Sequence, residues 1–116
     1  MDTKSKEVIV NRPFSEDNIL SHAAKCGGKR NLRVIVLTTD DDEEFHYLVK
    51  KPSRAAMQAV AQYESKKDID GVQKIMLGCV LEGDRDAFEH DGSLYAKLLE
   101  HISELIKDTS GEIKKL

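Results

Sequence analysis

The chain is patterned around one apolar stretch, Val72 to Gly83, VQKIMLGCVLEG. At helical spacing Val72, Ile75, Met76, Cys79 and Val80 share one broad face, and Leu77 and Leu81 sit one turn apart on a second. Only Gln73, Lys74, Gly78 and Glu82 interrupt the apolar surface. A helix apolar on most sides either is packed by several neighbours or keeps one face for a partner. The pattern therefore predicts a central helix ending at Gly83, where glycine accommodates a left-handed turn.

The other elements follow from shorter patterns. Met1 to Lys6 is polar and is expected to be mobile, and Val8, Ile9 and Val10 can form a short strand before Arg12-Pro13. Ser15 is a good N-cap, Glu16 and Asp17 favour the positive end of a helix dipole, and Phe14 with Ile19 has the hydrophobic-staple spacing. A helix is predicted over 15–27, with a stripe of Ile19, Leu20, Ala23 and Ala24, stopped by Gly27-Gly28. Leu32–Thr39 is continuously apolar and β-branched, and Glu44–Lys50 sets Phe45, Tyr47 and Val49 against Glu44, His46 and Leu48. The acidic turn Asp40 to Glu43 joins them, so 31–50 reads as a β-hairpin whose first strand should lie deeper than its second. Pro52 breaks that strand and Ser53 caps a helix over Arg54–Glu64 whose alanines allow close approach of another helix. Asp68 caps the central helix, and DRDAFEHDG after Gly83 reads as a loop anchored by Phe88. Ser93 is the expected cap of a last helix carrying Leu94, Tyr95, Leu98, Leu99, Ile102, Leu105 and Ile106 on one side. Thr109–Leu116 adds a short helical turn or frays. The fold class predicted is α+β: an N-terminal segment (1–14), a helix and a hairpin, then a three-helix region over 53–108, in a single domain of 1–116.

Composition narrows what such a domain does. With 18 basic and 21 acidic residues the net charge is −3, which gives no broad attraction to nucleic acid or anionic membrane. No apolar run approaches the roughly 18–20 residues a membrane span needs. MDTKSKEVIVNRPF has no long apolar region and no small-residue cleavage site, so it does not read as a signal peptide. Cys26 and Cys79 lie in apolar patterns without metal-type spacing and read as reduced, buried thiols of a cytoplasmic protein.

Candidate chemistry is thin. His22 and Cys26 are four apart on the first helix, which is half a zinc site with no second ligand pair. Asp40, Asp42 and Glu44 could face a cation, but the glycine and late glutamate of an EF-hand loop are missing. Cys26-Gly27-Gly28-Lys29-Arg30 lacks phosphate-loop spacing and follows a helix instead of opening one. No metal, cofactor or catalytic residue is predicted. Lys50, Lys51, Arg54, Lys66 and Lys67 gather around the second helix, which keeps a small DNA-binding or regulatory domain as the alternative. The helix that would enter the groove has no row of base-reading side chains.

From Tyr47 onward the order of signals resembles a known family. YLVKKPSRAAM is followed by a polar break, then VQKIMLGCVLEGD, an acidic loop and the helix LYAKLLEHISELI. This order is similar to the small tail assembly chaperones of long-tailed phages and prophages. The matching positions are Lys51, Pro52, Ser53 and Arg54, then Leu77, Cys79, Val80, Gly83 and Asp84, then Leu94, Leu98 and Leu99. The resemblance covers about the last 70 residues, and the first ~45 have no counterpart in it. It implies a non-enzymatic protein of the bacterial host cytoplasm. Such a protein binds the tape-measure protein and tail-tube subunits and keeps them soluble until assembly, and self-association accords with it. A holding surface needs apolar area bounded by charge, and Leu77, Leu81, Tyr95 and Leu99 are the positions expected to provide it.

Overall fold

The computed structural model describes residues 8–107 and 109–116, so the expectation for Met1 to Lys6 lies outside the described residues. The order is β1 (Ile9–Asn11), α1 (Glu16–Lys25), a 3-10 turn (Lys29–Asn31), β2 (Leu32–Thr38), β3 (Glu43–Lys50), α2 (Arg54–Ser65), α3 (Ile69–Leu77), β4 (Val80–Glu82), α4 (Arg85–His90) and α5 (Gly92–Leu105). The fold is α+β.

The central strand is β3. Along one edge it pairs antiparallel with β2 over its whole length, from Leu32 opposite Lys50 to Thr38 opposite Glu44. Its other edge is shared end to end. β1 runs parallel beside Glu43–Phe45, and β4 runs antiparallel beside Leu48 and Val49. The hairpin is thus where the patterning placed it, but the order of depth is reversed. Tyr47, Leu48 and Val49 are buried, whereas Val34 and Val36 of β2 stand 38% and 47% exposed. A strand with neighbours on both edges is covered more fully than an edge strand, however apolar the edge strand's sequence.

Alternation along β2 and β3 separates two cores. Ile35, Leu37, Phe45, Tyr47 and Val49 meet Val60, Met76, Cys79, Val80, Phe88, Leu94, Leu98 and Ile102, so α2 to α5 cover one side of the sheet. On the other side Leu32 and Leu48 pack beneath α1 through Phe14, Ile19 and Ala23. α5 supplies Leu94, Leu98 and Ile102 at four-residue intervals, and the last two are fully enclosed. Enclosing each such side chain stabilises the fold by about 1.5–3 kcal/mol before entropy is counted.

The Val72–Gly83 stretch is a helix and a strand, not one helix. α3 stops at Leu77, Gly78 caps it, and Val80–Glu82 turns back along β3. Glycine weakens the helix where it ends. The edge of β3 beyond β1 then offers the following residues backbone partners, as in the bond from the Lys50 N–H to the Cys79 carbonyl at 2.9 Å. Leu48 pairs with Glu82 but Val49 with Val80, so Leu81 is the extra residue of a bulge.

Other boundaries follow from capping. Ser15 and Asn18 form a reciprocal capping box at the start of α1, and the Gly28 N–H closes its end on the Ala23 carbonyl at 2.8 Å. Asp68 caps α3 as expected, accepting from the Gly71 N–H at 3.0 Å. The segment read as a loop after Gly83 contains α4, because Asp84 caps it and Phe88 is pulled into the core. α5 is capped by Asp91, not Ser93; the Asp91 carboxylate accepts from the backbone of Ser93 and Leu94. The Ser93 hydroxyl, and then those backbone bonds, hold its pKa below the ordinary value. Thr109–Leu116 has no regular structure, and Ile113 and Leu116 are fully exposed.

Candidate protein-binding surface

Of the positions that carry the resemblance, Lys51, Pro52, Ser53, Gly83 and Asp84 connect elements of the fold, while Cys79, Val80, Leu94 and Leu98 lie in the core. The Lys51 N–H donates to the Asn31 carbonyl at 2.8 Å and closes the β2–β3 ladder. Pro52 then leaves the sheet, and the Ser53 hydroxyl accepts from the Ala56 N–H at 3.1 Å to start α2, whose first residue is Arg54. Replacing Ser53 by Ala should lower stability by about 1 kcal/mol, read as a shifted urea midpoint at unchanged slope. Gly83 has φ +139 and passes over the ring of Tyr47. The two carboxylate oxygens of Asp84 divide their work: one caps α4 at the Ala87 N–H, the other accepts from Asn11 of β1.

The four positions expected to hold a partner do not share one face. Leu77, Tyr95 and Leu99 are half-buried against the larger core, and the Tyr95 hydroxyl donates to Gln73 at 2.9 Å. Leu81, re-aimed by the bulge, is half-buried against the α1 core on the opposite side of the sheet. The expectation of a joint Leu77–Leu81 surface fails with the single helix it assumed.

Apolar exposure lies elsewhere, on the half of the sheet that α1 leaves open. Cross-strand partners place Val10, Glu44 and Thr38 in one row, His46 and Val36 in the next, and Leu48 and Val34 in a third. Val8 and Val10 form one apolar flank, Val34 and Val36 the other, at 38–53% exposure. Between them runs a polar seam. Arg12 approaches His46 Nδ1 at 3.2 Å, and His46 Nε2 lies 3.0 Å from Glu44. A guanidinium only donates, so Nδ1 accepts and the ring proton sits on Nε2, facing the carboxylate. Arg12 is also stacked over Phe14, its carbon 4.8 Å from the ring centre. The surface is therefore apolar at its flanks and charged across its middle, which suits reversible contact with another chain.

Chemical groups are dispersed by comparison. Among the described residues no three of His, Cys, Asp and Glu come together as metal ligands. His22 is engaged by Glu82 at 2.8 Å instead of pairing with Cys26 around an ion. Both thiols are free; Cys79 is enclosed, and burial pushes its pKa up despite the nearby Lys50. A cleft of about 710 Å³ lies between β2 and α5, lined in part by Asp40, Asp91, Lys97 and His101, but the His101 Nδ1 proton is given to the Lys97 carbonyl. The α2–α3 pair packs tightly, Gly71 beneath the Tyr63 ring. The outward residues of α3 are Ile69, Asp70 and Lys74, with Gln73 held by Tyr95, which offers little to a base edge. No helix among the described residues is long and apolar enough to cross a membrane.

No family model, curated protein or solved structure matches this chain. The class defined by fold and surface is that of a small α+β domain with an open, partly apolar sheet face. The valines of that face were not picked out from sequence, because an unbroken apolar strand does not say which of its alternating positions the molecule covers.

Proposed function

We propose that the protein is a non-catalytic tail assembly chaperone of a long-tailed phage or prophage, acting in the cytoplasm of the bacterial host. It holds an apolar segment of the tape-measure protein, and of tail-tube subunits, until the tail is built. The observation that carries this reading is the open sheet face, where Val8, Val10, Val34 and Val36 are exposed on either side of the Arg12–His46–Glu44 seam. The ordered resemblance from Tyr47 to Ile106 supplies the tail context. Holding a client reversibly asks for apolar area that the monomer does not cover and for charge that prevents indiscriminate sticking.

The test is co-expression with a tape-measure fragment, reading the fraction of fragment that stays soluble. Val10→Glu should lower that fraction severalfold with only a small drop in the melting transition, since Val10 is 53% exposed on β1 but stands opposite Glu44. Leu77→Asp and Leu81→Asp are poor probes, because both side chains are half-buried and the variants would lose stability first. A fragment equally soluble with wild type, with Val10→Glu and with no partner at all would refute the proposal.

A further inference from the structure

One edge of β2 is bare from Val34 to Thr38. Among the described residues the strand pairs with β3 alone. The bonds from Lys51 to the Asn31 carbonyl and from Thr39 to the Glu43 carbonyl fix which residues of β2 face β3. In an antiparallel ladder the hydrogen-bonded positions alternate, so Arg33, Ile35 and Leu37 bond to β3. Leu32, Val34, Val36 and Thr38 then direct their N–H and C=O groups away from it; those of Leu32 are taken by the Lys29 carbonyl and the Arg33 guanidinium, which leaves Val34, Val36 and Thr38. Native edges are commonly blunted by proline, bulges or several charges. Leu32–Thr38 contains no proline, its register with β3 shows no shift, and its one charged residue is Arg33.

We infer that β2 pairs antiparallel with β2 of a second copy about a two-fold axis through Ile35, joining two sheets into one. Two features of the strand select this occupant. The first is parity: about Ile35, Leu32 falls opposite Thr38 and Val34 opposite Val36 of the other copy. The free backbone groups of Val34 in each copy therefore meet those of Val36 in the other, at the centre of the strand. Val34 and Val36 lie on the same side of the sheet, so their cross-strand pairs join the open faces of both copies into one apolar strip. The second is charge: β2 is preceded by Lys29 and Arg30 and followed by Asp40 and Asp41, all exposed. Antiparallel pairing lays the basic turn before β2 in each copy alongside the acidic turn that follows β2 in the other, twice over by symmetry. A two-fold contact requires the same patch to be self-complementary, and a strand basic at one end and acidic at the other satisfies that only when paired antiparallel.

The inference stands apart from the tail-chaperone reading, and its readout is mass instead of client solubility. Sedimentation equilibrium of the full chain over a concentration series should show a reversible monomer–dimer equilibrium. Val36→Pro removes an outward N–H without touching the β2–β3 ladder and should give a folded monomer by circular dichroism. Val36→Lys, which leaves the backbone intact, should do the same and covers the case in which the proline variant misfolds. Arg30→Asp alone should weaken the dimer about fivefold, and adding Asp40→Arg should restore it. Wild type that stays monomeric throughout would overturn the inference. So would a dimer indifferent to both Val36 substitutions, or one not restored by the charge exchange.

Discussion

Gly83→Val is expected to abolish folding, with circular dichroism of the purified chain showing no cooperative urea transition. The glycine sits at φ +139, where a β-branched residue is strained by roughly 1–3 kcal/mol. A Cβ built there would lie 2.2 Å from the Tyr47 ring. That ring cannot swing aside. It is fully enclosed, it packs against Phe88 at a centroid distance of 5.8 Å, and its hydroxyl donates to the Asp84 carbonyl at 2.7 Å. Forcing volume into such a site adds a further 1–3 kcal/mol or more. The sum is comparable with the whole stability of a small domain. Displacing residue 83 would also loosen Asp84, which caps α4 and anchors Asn11 of β1. Gly83→Ala carries the same strain with less bulk and should fold with a much lower midpoint. A Val variant that unfolds at the wild-type midpoint would show that the chain can reroute around Tyr47.

The same glycine shows how much of the molecule is legible in its sequence. Local signals were informative. Ser15, Ser53 and Asp68 cap the helices assigned to them, Gly27-Gly28 ends the first, and the acidic turn joins the strands of the hairpin. Each rests on chemistry within a few residues. What was lost depends on distant chain. Val72–Gly83 reads as one helix because apolar residues dense enough to fill both sides fit a buried helix and a buried strand alike. What decides is the vacant edge of β3, set by where β1 ends some 70 residues earlier in the sequence. Burial of β3 over β2 has the same origin: Leu32–Thr38 is the more apolar strand, but only β3 has neighbours on both edges. The expected partner face failed for a related reason. Leu77 and Leu81 were joined by helical periodicity, and once the helix becomes a strand the two side chains fall on opposite sides of the sheet. The motif that carries the sequence resemblance is accounted for as architecture. Its Pro-Ser step leaves the sheet and its Gly-Asp step crosses Tyr47, so it carries the folding of this half of the chain.

Tyr47 itself sets the second large effect, a loss of stability in alkali. Burial, and then the negative charges of Asp84 and Asp91, push its pKa from 10.0 up to about 12. The unfolded chain releases that proton near the ordinary value, the native chain about two units later. Between those values the unfolded state binds fewer protons, so stability falls as pH rises. The contribution is complete below pH ~10 and is lost as pH climbs towards ~12, a decline of about 2–3 kcal/mol. Urea midpoints of wild type and Tyr47→Phe, followed across this window, isolate the effect. Every other group is common to both proteins and cancels in the difference. At neutral pH the Phe variant should be less stable by about 1 kcal/mol, for the lost bond to the Asp84 carbonyl. Above pH 10 its curve should fall less steeply, so that the two proteins converge and then cross. Curves that stay parallel through the window would mean that the phenol ionises in the native state as readily as in the unfolded chain. The Tyr47 pocket would then be open to water, and the clash argued for Gly83 would lose the fixed ring it depends on.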